Sequence, residues 1–210
     1  WTTTPWTLPS NVALCVNPED TYCKVKAADG YTYYMAEALL ENVLGRLKKE
    51  DAPAYEILET YKGKDLEYKE YEPLFKCSGD VAAKQNKKGF FVTCDSYVTM
   101  SDGTGIVHIA PTFGADDALV AKNAGVPPLQ LINKKGELRP MVDLTGKFYT
   151  LDELDESFVN QSVNVELYKE YAGRFVKNAY DPTLTEKDES LDVSICMMMS
   201  EQFISPTIQT

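Results

Sequence analysis

The sequence predicts an α+β fold, mainly β, with a barrel-like β core carrying helical insertions. Three observations lead there. Short β-branched and aromatic runs recur along the chain, bounded by Gly, Pro, Asn and Asp. Only a few stretches switch to helical spacing. With 44% hydrophobic and 25% charged residues over 210 positions, the composition is that of an ordinary folded chain, which excludes a disordered, collagen-like or coiled-coil protein.

The elements follow in order. Thr2 to Thr4 favour extended backbone, and Pro5 and Pro9 limit any long regular element. Residues 11–16 read as a strand, and 22–28 as its partner across the Asn17-Pro18-Glu19-Asp20 turn. Asp29-Gly30 is a hairpin signal leading to the strand of Tyr31, Thr32, Tyr33 and Tyr34. Ala36, Leu39, Leu40, Val43 and Leu47 then share one helical face, with Arg46, Lys48 and Lys49 suited to the helix C-terminus. Strands are expected over 55–62, 69–75, 89–98 and 103–110, with a turn at Gly63-Lys64-Asp65 and an exposed polar stretch at 84–89. A short helix is expected over 117–123, with Asp116 as N-cap and Gly125 as its stop. Short strands at 129–132 and 148–149, a turn at 133–136 and an amphipathic stretch at 188–200 complete the chain.

Charge and cysteine usage narrow the function classes. Lys plus Arg is 21 against 32 for Asp plus Glu, a net charge of −11, which argues against a stand-alone nucleic-acid binder. A domain that touches only the end of an RNA is still allowed. The five cysteines are odd in number and form no CxxC or Cys/His cluster, which argues against a disulfide framework and a structural zinc site. Reduced thiols fit a cytoplasmic protein. No apolar run is long enough to span a bilayer. The chain starts at Trp1 without an initiator Met, so residues 1–210 are expected to be one domain excised from a longer protein.

Two segments carry candidate chemistry. In Trp1-Thr2-Thr3-Thr4-Pro5-Trp6-Thr7-Leu8-Pro9-Ser10-Asn11, three successive hydroxyls are each donor and acceptor. Extended backbone sends Thr2 and Thr4 to one face and Thr3 to the other. Threonine is also a plain β former, so the pattern alone fits an edge strand. The second segment is Asp102-Gly103-Thr104-Gly105-Ile106-Val107-His108-Ile109-Ala110-Pro111-Thr112-Phe113-Gly114-Ala115-Asp116-Asp117. Here a strand ends, a loop turns at Gly114 and a helix begins, gathering backbone N–H groups and acidic side chains. His108, the only histidine, shares its strand face with Ala110. With the cap role assigned to Asp116, Asp117 is left to bind an ammonium group. Gly103-Thr104-Gly105 is not a nucleotide fingerprint, and no nucleophile-elbow sequence accompanies His108. Asp152-Glu153, Asp155-Glu156 and the Lys84, Lys87, Lys88 cluster read as solvated surface charge, and Met197 to Met199 as part of an apolar helix face.

Taken together, the two segments resemble the signature blocks of isoleucyl-tRNA synthetases, with Tyr71-Glu72-Pro73-Leu74-Phe75 and Tyr171-Ala172-Gly173-Arg174-Phe175-Val176-Lys177 as weaker blocks in the same order. The resemblance covers residues 1 to about 177. The related valyl and leucyl enzymes carry an arginine where this chain has Thr4-Pro5, which favours the isoleucyl family. What the resemblance implies is the editing insertion, or CP1 domain, a β-barrel-containing module that hydrolyses valine wrongly attached to isoleucine tRNA, with valyl-adenylate as an additional substrate. One methylene is worth only about 1–3 kcal/mol in an apolar pocket, a magnitude established on isoleucyl enzymes themselves, so a second sieve is needed.

Carried onto this sequence, Asp117 holds the α-ammonium of the substrate, and Thr2, Thr3 and Thr4 orient the terminal adenosine or the water. His108 excludes isoleucine, Trp6 forms a wall, and Ala110, Thr112 and Gly114 line the substrate. The implied partners are the 3′-terminal adenosine of tRNA(Ile) carrying valine and the remainder of the synthetase, with the isolated domain a monomer off the membrane. No metal or cofactor is expected in this segment; ATP and Mg belong to the parent enzyme. An editing domain of the valyl or leucyl type, or a hydrolysis-dead module that only binds the tRNA end, are the alternatives.

Overall fold

The structure, a computed structural model, describes residues 2, 4–49 and 52–176. Thr3, the stretch at 188–200, Cys196 and Met197 to Met199 lie outside the described residues.

The N-terminal segment does not continue as extended chain. Pro5 starts a 3₁₀ helix, Pro5–Ser10, because its fixed φ and missing N–H suit a first helical turn. Asn11 is back in extended conformation and leads into β1 (Ala13–Val16). β2 (Thr21–Ala27) and β3 (Thr32–Ala36) form an antiparallel hairpin around Gly30, whose φ of +98° explains the glycine there. The helical region that follows is composite: a 3₁₀ turn Glu37–Leu39, α1 (Leu40–Leu44) and a second 3₁₀ turn Gly45–Leu47. β4 (Tyr55–Lys62) closes the sheet as β3-β2-β4. α2 (Gly63–Leu66) and α3 (Lys76–Lys84) lead to β5 (Phe91–Cys94) and β6 (Ile106–Ile109). α4 (Ala115–Asn123), the ribbon of β7 (Leu131–Ile132) and β8 (Leu138–Arg139), α5 (Glu156–Ser162) and α6 (Val165–Tyr168) follow.

The α+β class is correct, but among the described residues helices hold as much of the chain as strands, and the strands form no closed barrel. They make two three-stranded sheets and one two-stranded ribbon. The decisive correction is that β1 and β2 are not partners. β1 is the centre of its own sheet, parallel to β5 and antiparallel to β6, so both its edges are occupied. At the exit of β1, Asn17 donates its side-chain amide to Val98 O at 3.0 Å and its backbone amide to Tyr22 Oη at 2.9 Å. These bonds turn the chain away from a hairpin and into the second sheet. Fully buried Tyr22 also donates to Gly105 O at 2.7 Å, joining the two sheets.

The largest core takes in Ala13 and Cys15 of β1 together with Ile109, Val81 of α3, Val120 of α4 and Phe158 of α5. Phe75, Phe148 and Tyr171 pack edge-on or tilted, with ring centroids 5.5–6.0 Å apart, tying the last described segment to this core. Cys15, Cys23 and Cys77 are buried free thiols and Cys94 is half-buried.

Other expectations change in detail. Residues 69–75 hold only an isolated bridge, Glu70 to Phe91, and Phe148 only one to Val142. Asp155 and Glu153 are not idle surface charges: Asp155 accepts the Phe158 amide as N-cap of α5, and Glu153 accepts the Thr150 amide and hydroxyl. Lys87 is half-buried and donates to Pro128 O, and burial pushes its pKa down.

Candidate functional site

β6 is the strand on which the predicted site residues converge. Its register against β1 sets Leu14 opposite His108 and Ala13 opposite Ile109, and Val12 N donates to Ile109 O at 2.9 Å. The chain entering β1 is the threonine-rich segment itself. The sheet therefore fixes where that segment lies relative to His108.

The hydroxyls form a chain. Thr2 Oγ1 accepts the Thr4 amide at 3.1 Å and lies 3.4 Å from Thr4 Oγ1. Thr4 Oγ1 is in turn 3.4 Å from Thr7 Oγ1. Thr7 donates its hydroxyl to Thr4 O at 2.8 Å and sits 3.1 Å from His108 Nε2. Thr7 is buried, whereas Thr2, Thr4 and His108 are half-buried. Trp6, also half-buried, occupies the first turn of the 3₁₀ helix. Thr3 lies outside the described residues.

Asn11 anchors the base of this segment. Its side-chain amide donates to Ala13 O at 2.8 Å, and its carbonyl oxygen accepts the Tyr71 hydroxyl. Ser78 donates to Pro9 O at 2.7 Å from α3. The 3₁₀ helix is thus pinned from two sides, by Tyr71 below and α3 beside it.

Asp117 engages the chain just past the C-terminal end of β6. Its Oδ2 accepts the amide of fully buried Ala110 at 2.8 Å, closing the turn between strand and helix. Burial pushes its carboxyl above the ordinary 3.8, the Ala110 amide pulls it back, and neighbouring Asp116 pushes it up again. Asp116 is not the N-cap. Gly114 takes that position in extended backbone and Asp116 is exposed, because α4 starts at Ala115 and places Asp117 in its first turn. Thr112 is half-buried, with a hydroxyl that finds no partner among the described residues, and Gly114 lies in ordinary contact range of the Asp117 carboxyl, 3.6 Å from a Cβ position to Cγ.

Among the described residues no hydrogen bond links Asp117 to Thr2, Thr4 or Thr7. They meet through the strand: Thr7 engages His108 and Asp117 engages Ala110, two residues or about 7 Å further along extended chain. Burial pushes the His108 imidazole down from 6.5 to about 4, so the ring is neutral at physiological pH. A neutral imidazole, a ladder of hydroxyls and one half-buried carboxylate can orient a polar, cationic ligand. They contain no strong nucleophile. No group of three or more His, Cys, Asp or Glu suited to a metal occurs among the described residues. No described helix is long and apolar enough to cross a membrane.

Thr7, Asn11 and Tyr71 lie within the sequence motifs, yet their residue types alone do not mark them as site residues. For Thr7 the available signal is its spacing: three residues after Thr4 behind a proline, where a 3₁₀ turn brings the two together.

Comparison with known proteins supplies the relatives. An isoleucine–tRNA ligase of Bacteroides fragilis is 60% identical over 95% of this chain, which spans 18% of that relative. The Bacteroides thetaiotaomicron enzyme of the same name is 51% identical over 95% of the chain and 20% of its own length, and that of Porphyromonas gingivalis 46% over 96% and 19%. The chain therefore spans about a fifth of the relatives it matches. No family model matches it. A solved editing domain of the P. knowlesi cytosolic leucyl-tRNA synthetase overlaps 97% of this chain and 79% of its own, at 16% identity and a TM-score of 0.48. Over nearly its whole length, the chain is therefore similar to one segment of isoleucyl-tRNA synthetases.

Proposed function

We propose that residues 1–210 are the editing segment of an isoleucyl-tRNA synthetase and hydrolyse valine from tRNA(Ile). One observation supports this above the others: β6 brings the threonine-bearing segment to His108 and the Asp117 carboxylate to Ala110, two residues away.

In this reading Asp117 holds the α-ammonium of the ester. A half-buried carboxylate whose burial disfavours its charge gains most from a fixed cation beside it. The hydroxyls of Thr2, Thr3 and Thr4 orient the terminal adenosine and the attacking water. Neutral His108 stands beside the aliphatic side chain, with Trp6, Ala110, Thr112 and Gly114 lining the remainder. Exclusion of isoleucine rests on overpacking, which costs energy steeply in a rigid site.

Water adds to the ester carbonyl, the carbon–oxygen bond to the ribose breaks, and the proton passes to the ribose oxygen. An aminoacyl ester is already activated, so orientation and stabilisation of the developing oxyanion carry the rate without a general base among these side chains. The reading requires no metal. The partners are the 3′ end of tRNA(Ile) and the remainder of the synthetase. The net charge of −11 fits an RNA end met by stacking and hydrogen bonds, with the other domains supplying affinity.

The test is Asp117→Asn in the full-length enzyme, assayed on Val-tRNA(Ile). Asparagine can still accept the Ala110 amide, so the substitution removes the charge and spares the turn. The expected result is a loss of valine clearance of about 10- to 100-fold, the weight of one charge-assisted contact. Unchanged clearance overturns the assignment. Binding of a non-hydrolysable valyl-adenosine analogue by the unaltered enzyme without any ester turnover would assign the segment to tRNA-end binding instead.

A further inference from the structure

The proton count around Thr7 decides the state of His108. A threonine hydroxyl carries one hydrogen and two lone pairs. Thr7 Oγ1 lies 2.8 Å from Thr4 O, a carbonyl that can only accept, and 3.1 Å from His108 Nε2, which can do either. With its single hydrogen committed to the nearer carbonyl, Thr7 has only lone pairs to offer the imidazole, and Nε2 must donate. The other ring nitrogen gives the same answer independently. His108 Nδ1 is buried and meets no partner among the described residues. An orphaned buried N–H is rarer and costlier than an orphaned lone pair, so the proton belongs on Nε2.

We propose that Thr7 is a positioning residue that fixes His108 as the Nε2–H tautomer, with Nδ1 a bare acceptor, and thereby holds the imidazole still as a wall of the ester pocket. The tautomer stands on the geometry alone. The wall rests on the editing function proposed above. The hydrogen-bond relay runs one way, from His108 Nε2–H to Thr7 Oγ1 and from Thr7 Oγ1–H to Thr4 O, so the imidazole is keyed to the backbone of the threonine segment. A ring held at one nitrogen cannot swing aside for one extra methylene.

Because His108 is the only histidine in the 210 residues, long-range ¹H–¹⁵N spectra of the chain show a single imidazole. The expected spectrum has a protonated Nε2 and an unprotonated Nδ1. Thr7→Val, which keeps the shape and removes the acceptor, is expected to lower the Nε2–H to Nδ1–H ratio about tenfold, whereas Thr7→Ser keeps it. If the valine variant does not fold, Thr7→Ala serves in its place. A dominant Nδ1–H form in the unaltered chain, or a ratio indifferent to loss of the hydroxyl, overturns the tautomer assignment.

In the full-length enzyme, Thr7→Val is expected to raise hydrolysis of Ile-tRNA(Ile) relative to Val-tRNA(Ile) about tenfold, with Thr7→Ser restoring the discrimination. A shifted tautomer with unchanged selectivity overturns the wall. Absence of valyl-ester hydrolysis in the unaltered enzyme is a separate result that counts against the editing function and leaves the tautomer standing.

Discussion

The Asp117 carboxylate reaches back across seven residues to accept the amide of Ala110 at 2.8 Å. The group proposed to hold a substrate cation is thus also the latch of its own loop. Its two roles separate by substitution. Asp117→Ala leaves a buried N–H without a partner and is expected to cost about 1–3 kcal/mol of stability, read from urea midpoints. Asp117→Asn keeps an acceptor.

The same residue predicts an unusual pH trend. Burial raises the folded carboxyl above 3.8, so the folded state holds this proton more firmly than the unfolded chain. The stability it contributes is present below 3.8 and is lost as pH rises through the folded value. At pH 7 Asp117→Asn is therefore expected to be neutral to stabilising, and its advantage over the unaltered chain should vanish in acid. Thermal unfolding of both proteins at two pH values checks this.

His108 acts in the opposite direction. Its folded value of about 4 lies below the ordinary 6.5, so between the two the unfolded chain binds the proton and the folded one does not. Stability from keeping the ring neutral is complete above 6.5 and is lost as pH falls toward 4. His108→Gln should flatten the fall of the urea midpoint over this window. An equally steep fall in the variant would show that other groups set the acid sensitivity.

Tyr71→Phe tests the anchor of the threonine segment. It strands the side-chain oxygen of buried Asn11 and should cost about 1–3 kcal/mol. On the proposed editing function, the same change in the full-length enzyme should slow ester hydrolysis and leave aminoacylation unaltered, since it loosens the segment that carries the hydroxyls.

Gly105→Ala tests the approach of the two sheets. Gly105 has φ of +70°, and a Cβ there would lie 2.5 Å from that of Ala36. Strain and overpacking together should cost about 2–4 kcal/mol, measurable as a lowered melting temperature.

The parts of the fold legible in the sequence are those whose signals are local. Asp29-Gly30 marks the β2–β3 hairpin because a tight turn with positive φ needs glycine. Tyr55 to Lys62 announces β4 by its aromatic and β-branched residues. What local signals could not supply is pairing at a distance. β1 joins β5 in parallel through Ala13 and Phe91, and nothing near Ala13 specifies that partner. α3 gives a weak local signal because Gly79 lowers helical propensity, yet the position leaves no spare room: a Cβ there would meet Pro73 Cγ at 2.7 Å. In the site, the histidine and the carboxylate stood out as residue types. Thr7 did not, because its importance comes from a 3.1 Å approach to a residue 101 positions away.

Tyr22 lends its one hydroxyl to both sheets, receiving from Asn17 and giving to Gly105, three residues before His108. A tilt of the outer β3-β2-β4 sheet must therefore tug at the root of the histidine strand. The outer sheet and the strand of His108 thus share one hydrogen-bonded junction, through which strain in either reaches the other.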